Sequence, residues 1–346
     1  MKLIILFGGA SFEHEISIVS AITVKEKLEQ TFELSFVFCD SDHTFYLVEA
    51  EKMKAKTFSS GDYKKFPKLT LQNGLFVAQK LFSKTELSGV VLNLIHGGDG
   101  EDGTIASLLD FYGIKYIGPR VDASVFSFDK RYTKWLAHAK GVKYVRYEIL
   151  FANENKDISF DFPVIIKPAR LGSSIGVSIV KNIEEFDYAL DVAYEFDNVV
   201  IVEPFIEGVK EYNLAGYVAN GELHYSIVEE PQKEEFLDFE KKYMDFSRTQ
   251  QTQEATLSEE LVNKLKNSFK TIYQDMFEGA LIRCDFFVIN DEVYLNEINP
   301  IPGSMANYLF EDFAGAIKDL ANALPHKKRI KVNYEYIHSI SKAKGK

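Results

Sequence analysis

The chain has 346 residues, enough at about 100–200 residues per domain for two or three domains, and its 46% apolar and 26% charged content is ordinary for a soluble globular protein. A formal net charge of −11 argues against sequence-independent nucleic-acid binding, which needs many Lys and Arg beside phosphates, but leaves room for a local basic cleft around an anionic small ligand. Cys39 and Cys284 have no metal-ligand spacing and build no disulfide framework, so the reducing cytoplasm is the expected compartment.

Residues 2–7 read as a buried parallel strand. The run is too short for a membrane helix and no small-residue cleavage site follows it. No other apolar run reaches the ~18 residues of a spanning helix, so no membrane partner is expected. Gly8-Gly9 turns the chain, and Ile16, Val19, Thr23 and Leu28 form a helical stripe. Residues 34–39 are a second strand. Residues 40–80 are polar and irregular with short strand-like pieces (TFYLVE, GLFVAQ), and read as an elaborated insertion. Residues 88–95 (SGVVLNLI) form another buried strand, which feeds a Gly-rich acidic loop and a helix over 104–112. Repeated strand, turn and helix predict an α/β domain with a parallel sheet, ending near residue 129.

A second block opens with a helix over 130–140, which Gly141 caps. Strand VIIKP, loop ARLGSS, strand IGVSIV, a helix over 183–195 and strand NVVIVE follow. A third block runs from about residue 212. It holds antiparallel-looking strands (YNLAGYVA, GELHYSIVEE), a polar loop at 231–256, a helix over 258–277, the pair ALIRCDFFVI and VYLNEIN, and a helical tail ending in KAKGK.

That last strand pair carries polar residues inside apolar runs: Arg283, Asp285, Glu297 and Asn299. Buried charges without partners are costly, so these four are expected to share a site. A three-residue connection around Asn290-Asp291 sets Asp285 opposite Glu297 and Arg283 opposite Asn299. A two-residue turn instead opposes Asp285 to Asn296 and sends Glu297 to the other face. In the first register the hard oxygen donors suit Mg²⁺ held together with substrate phosphates. A structural ion pair of Arg283 with a carboxylate accounts for the same residues. Cys284 points to the opposite face, into the core.

The segment FPVIIKPARLGSSIGVSIV ends a buried strand on Lys167 and continues in a Gly-Ser loop whose small residues let backbone N–H groups approach phosphate oxygens, though a plain hairpin fits too. It is not a Walker loop. FGGASFEHEIS lacks the third glycine of a dinucleotide fingerprint, and Glu13-His14-Glu15 are adjacent rather than on one helix face, which disfavours a metal site. LIHGGDGEDGT lacks EF-hand spacing and reads as a capping turn.

In their order along the chain, GGASFEHEIS, LIHGGDGEDGT, SFDK, IIKPARLGSSIGV, EKKY, RCDFF and NEINPIPGS resemble the D-alanine–D-alanine ligases, members of the ATP-grasp superfamily. The resemblance covers residues 2 to about 321 and is weakest over 40–80. It implies an α/β, three-domain ATP-grasp architecture. Residues 1–129 would be an N-terminal Rossmann-like parallel-sheet domain that binds substrate, 130–211 a central α+β ATP-grasp domain, and 212–346 a C-terminal α+β domain completing the ATP-grasp and catalytic site. It implies ATP as co-substrate, two Mg²⁺ ions with Mn²⁺ as a substitute, two D-alanine molecules as substrates, and a cytoplasmic homodimer serving peptidoglycan precursor synthesis.

By the same resemblance Asp285, Glu297 and Asn299 hold the metal ions, and Lys130, Lys167 and Lys242 neutralise phosphate. Arg283 and the Gly303 N–H stabilise the tetrahedral oxyanion. Glu13 anchors the first substrate's ammonium near His96, and Ser173 and Tyr243 join Glu13 in a hydrogen-bonded set that closes over the site. Glu203, the Pro204 carbonyl and the Ile206 N–H match the adenine hinge, and Glu211 the ribose acid. The stretch EPFIEGVKE is one residue longer than in many relatives. Tyr308 stands where many carry a Ser for the second carboxylate, a role that would pass to Lys242 or the Leu309 N–H. A ligase using D-lactate or D-serine as second substrate is the nearest alternative; EKKY favours an amine nucleophile. A non-catalytic ATP-binding module would have no need of Arg283.

Overall fold

The computed structural model describes residues 1–80, 83–154, 156–231, 252–326 and 330–344. Strand β1 (Lys2–Gly8), helix α1 (His14–Leu28) and strand β2 (Glu33–Cys39) form a βαβ unit in which β1 and β2 pair in parallel. Leu3, Ile5 and Phe7 enter one apolar core and Ile4 and Leu6 another, so β1 is covered on both faces, as a parallel strand must be. Ile18, Ala21, Val24 and Leu28 of α1 fill the first core. Each such side chain contributes about 1.5–3 kcal/mol by leaving water.

Residues 40–80 depart from the irregular insertion expected of them. Strand β3 (Phe45–Val48), helix α2 (Ala55–Ser59), strands β4 (Lys68–Gln72) and β5 (Leu75–Lys80), and β6 (Ser83–Leu87) extend the sheet antiparallel. With β7 (Val90–Asn93) and β8 (Tyr116–Ile117), both parallel, the order is β6-β5-β4-β3-β2-β1-β7-β8. Phe45, Leu69 and Phe76 explain the pairing: they bury in the same core as Ile4 and Leu6, which α3 (Thr104–Phe111) covers with Ile105, Ala106 and Leu109.

Helices α4 (Val121–Phe128) and α5 (Lys130–Ala139) follow. The Asp129 side chain caps α5 by accepting from the Arg131 N–H at 2.9 Å, and Gly141 at φ +69° ends it. The second sheet joins β9 (Glu148–Phe151), β10 (Val164–Pro168), β11 (Ser178–Val180) and β12 (Val199–Pro204) in the antiparallel order β11-β10-β12-β9. Helix α6 (Ile183–Tyr194) buries Phe186, Ala189, Leu190 and Ala193 against Val164, Ile166, Val200 and Val202. Alternation therefore turns Lys167 and Glu203 to the opposite face.

The third sheet comprises β13 (Lys210–Ala219), β14 (Glu222–Glu229), β15 (Ile282–Ile289) and β16 (Glu292–Asn299), in the order β14-β13-β15-β16. Helix α7 (Glu259–Tyr273) covers one face with Leu265, Phe269, Ile272 and Tyr273, and α5 shares that core through Leu136 and Ala137. A turn over Gly303–Leu309 leads to α8 (Phe313–Asn322), whose Phe313, Ala316, Ile317 and Leu320 return to the core under β1. The first and third sheets thus share apolar contacts. Helix α9 (Glu335–Ala343) is exposed throughout.

The β15–β16 hairpin joins the two registers weighed from the sequence. Ile289 pairs with Glu292 across Asn290-Asp291, both at positive φ (50° and 60°), which is a two-residue turn. A β-bulge follows: Phe286 pairs with Leu295 but Asp285 with Glu297, leaving Asn296 as the extra residue. The bulge restores what a longer connection would have given. Asp285 faces Glu297, Arg283 faces Asn299, and all four share the face away from α7.

Candidate active site

On that face Arg283 donates to both oxygens of Asp285, Nε to Oδ1 at 2.7 Å and Nη2 to Oδ2 at 2.8 Å, and Asn299 Nδ2 donates to Oδ2 at 3.0 Å. The structural ion pair is therefore real, and it sits inside the cluster the chemistry requires. Burial pushes the Asp285 carboxyl up, Arg283 draws it down, and Glu297 and Glu211 push it up again, leaving it raised. Two facing carboxylates that repel each other, with an amide beside them, form a hard-oxygen set a divalent cation would relieve. Arg283 Nη1 also donates to the Tyr308 hydroxyl at 3.2 Å. Tyr308 thus lies against the guanidinium of Arg283. Glu211 of β13 lies on the same face, its β15 partner Phe287 being two residues from Asp285.

The second sheet contributes cations. Lys167 Nζ donates to Glu203 Oε2 at 2.6 Å and to Asn296 Oδ1 at 3.4 Å, so the bulge residue links the two sheets. Burial, the largest influence, lowers the Lys167 ammonium, but Glu203, Glu297 and Glu211 together offset it and the net shift is upward. Lys134 Nζ lies 2.5 Å from Glu203 Oε1, an ionic contact rather than a well-aligned hydrogen bond. Burial would raise the Glu203 carboxyl, yet the two lysines bring it down to about 2. Lys130, at the first turn of α5, donates to the Leu171 carbonyl, and burial lowers its ammonium while Glu297, Glu13 and Glu203 pull it up. Pro204 ends β12, and half-buried Ile206 follows it in the connection to β13.

Glu13 precedes α1 and is buried, with Oε1 accepting from the Ser173 hydroxyl at 2.6 Å. Its Oε2 has no partner among the described residues, and burial raises the carboxyl. A buried acceptor without a donor is rare and marks a place where a ligand's donor belongs. Two glycines frame it: a Cβ on Gly172 would lie 2.9 Å from Oε1, and one on Gly97 2.8 Å from Oε2. Gly172→Ala should therefore displace the carboxylate, lowering kcat/KM for the amino acid about 10–100-fold while nucleotide affinity holds. Steady-state kinetics with each substrate varied in turn checks this.

Burial pushes His96 down to about 4 and Glu101 up to about 8, so their contact at 3.4 Å joins a neutral ring to a neutral acid. His96 Nε2 and the Ser20 hydroxyl are hydrogen-bonded at 3.0 Å, and Ser20 Oγ accepts from the Ser304 N–H at 3.1 Å. Ser304, Met305 and Ala306 all hold left-handed φ (47°, 55° and 49°) beside Gly303. Such backbone costs about 1–2 kcal/mol per residue and persists because its surroundings fix it. Leu309 is fully buried in the core, backbone included.

The structure thus links Glu13, His96, Ser173, Lys130, Lys167, Glu203, Arg283, Asp285, Glu297 and Asn299 into one cluster through hydrogen bonds and electrostatic proximity. Lys242 and Tyr243 lie outside the described residues. Sequence reasoning missed Lys134, Ser20 and Glu101. Lys134 was within reach, since four residues from Lys130 on a helix it shares that residue's face.

The family model described as D-ala D-ala ligase N-terminus matches residues 2–119, and that described as D-ala D-ala ligase C-terminus matches residues 136–316. A D-alanine–D-alanine ligase of Sulfurimonas denitrificans is 70% identical over 346 residues, covering 100% of both chains. One of Sulfurovum sp. is 60% identical over 347 residues, again covering 100% of both. The crystal structure of D-alanine–D-alanine ligase from Helicobacter pylori superposes with a TM-score of 0.84 at 47% identity, covering 95% of this chain and 100% of that one. The ATP-grasp fold agrees with these matches, and the chain belongs to the D-alanine–D-alanine ligase family.

Proposed function

We propose that this chain joins two D-alanine molecules to D-alanyl-D-alanine with cleavage of ATP to ADP and phosphate, through the residues just described. The family carries out this ATP-dependent step for peptidoglycan synthesis. The observation that supports the assignment of residues most is the bulged pairing of β15 and β16, with Asp285 opposite Glu297 and Arg283 opposite Asn299.

The first D-alanine binds through its ammonium at Glu13 Oε2, the unpartnered acceptor, with neutral His96 beside it. Its carboxylate attacks the γ-phosphorus of ATP and forms an acylphosphate. The amine of the second D-alanine attacks the acyl carbon, and phosphate leaves. Phosphoryl transfer of this kind is mainly positioning and charge neutralisation. Lys130, Lys167 and Lys242 neutralise the phosphates, and Glu203, Pro204 and Ile206 hold the adenine. Glu211 takes the ribose. Arg283 and the Gly303 N–H receive the oxyanion. Ser173 and Tyr243 close the site with Glu13, excluding water that would hydrolyse the acylphosphate. Lys242 or the Leu309 N–H holds the second carboxylate. Asp285, Glu297 and Asn299 would hold two Mg²⁺ or Mn²⁺ ions, which neutralise phosphate charge when bound.

Division into 1–129, 130–211 and 212–346 is supported by the sheets, since β1–β8, β9–β12 and nearly all of β13–β16 each fall within one unit. The α5 helix bridges the second and third. A cytoplasmic homodimer is proposed on the resemblance, and no helix among the described residues is long and apolar enough to cross a membrane. A solution mass of twice 39.4 kDa tests the dimer.

Incubation with ATP, Mg²⁺ and D-alanine should release phosphate and form the dipeptide in equal amounts. Turnover only with added D-lactate or D-serine would move the second substrate. Nucleotide binding with no phosphate release under any of these mixtures would defeat the proposal.

A further inference from the structure

Glu203 is 2% exposed and has two cations on it: Lys134 Nζ 2.5 Å from Oε1 and Lys167 Nζ 2.6 Å from Oε2. One carboxylate neutralises only one of them, so the trio keeps a surplus positive charge. The two lysines differ in what surrounds them. Lys134 is 2% exposed, on the inner face of α5, and its ammonium has no other partner described. Lys167 is the penultimate residue of β10, is less buried, and also reaches Asn296 on the third sheet.

We propose that Lys134 is a positioning residue: it is the dedicated counter-ion of Glu203, and it frees the charge of Lys167 to act on phosphate. The inference rests on the proposed roles of Glu203 at adenine and Lys167 at phosphate, and adds a residue that neither role includes. Without Lys134, Glu203 would hold Lys167 as its sole counter-charge. A buried carboxylate stripped of a partner binds the remaining one more tightly. Lys167 would then be spent on Glu203, and the cleft would lose one unit of positive charge facing the triphosphate. Two observations agree with this division. Burial lowers the Lys134 ammonium despite the attraction of Glu203, so its charge there depends on that partner. The Lys167 ammonium is raised overall, and Glu297 and Glu211 add to the pull of Glu203 on it.

The test compares the affinity of the full chain for ADP with that for adenosine, by calorimetry, in a double-mutant cycle. The ratio of the two isolates the phosphate contribution. Lys134→Met should lower that ratio roughly tenfold, a typical effect of losing one charge-assisted contact. The double variant Lys134→Met/Glu203→Gln removes both charges and should restore the ratio to within about threefold of the parent. Restoration is the readout a merely structural role would not give: that role predicts equal losses for adenosine and ADP and no recovery in the double variant, and either result overturns the proposal. If Lys134→Met alone does not fold, the double variant against Glu203→Gln alone decides: equal ratios support the dedicated pairing, and a tenfold gap contradicts it. Lys167→Met is the control on the underlying reading. A ratio unchanged by Lys167→Met refutes the phosphate role itself. A ratio lowered by Lys167→Met but untouched by Lys134→Met refutes only the counter-ion role.

Discussion

Arg283→Lys lowers kcat about 100–1,000-fold and leaves the melting temperature within a few degrees of the parent, the size of effect seen when one oxyanion donor is lost. Lysine keeps the charge that Asp285 needs but not the planar fork that serves Asp285 and Tyr308 at once. Arg283→Ala acts differently. It strands a buried carboxylate whose two best donors came from the guanidinium, and costs about 3–5 kcal/mol of stability in addition to activity. Turnover and thermal unfolding measured on both variants separate the two contributions. A lysine variant with near-parental kcat would reduce Arg283 to a structural counter-ion.

Glu297→Ala has the other large effect. The residue is half-buried, faces Asp285 across the bulged pair, and bears electrostatically on Lys130 and Lys167. Its loss removes one of two carboxylates from the proposed metal set and should reduce kcat about a thousandfold, equivalent to about 4 kcal/mol of transition-state stabilisation. The variant should fold at least as well as the parent, because Asp285 no longer faces a like charge. Phosphate release at saturating ATP and a thermal melt check both parts. A melting temperature well below the parent's with turnover intact would assign Glu297 to the scaffold.

The polar residues inside β15 and β16 were legible because strands alternate with period two, and charges at apolar-strand spacing demand a shared site. The bulge at Asn296 was not legible. A single inserted residue leaves the alternation intact on each side, and only the backbone pairing tells where the phase slips. Residues 40–80 failed for another reason. Their strands are short, so TFYLVE showed a strand-like pattern without showing that it folds back on β2 and extends the parallel sheet. The link between Glu13 and Ser173, 160 residues apart, came from motif resemblance alone. Lys134 was not singled out from the sequence, although it shares a helix face with Lys130. Its burial follows only once α5 is laid against β16 beside the Glu203 carboxylate.

The metal site is most directly examined by electron paramagnetic resonance of Mn²⁺ titrated into the chain with saturating ADP. Tight binding by the parent chain, cut at least tenfold in Glu297→Ala and in Asp285→Asn, is the expected outcome. Equal Mn²⁺ affinity in all three proteins would contradict a metal–nucleotide site on these strands.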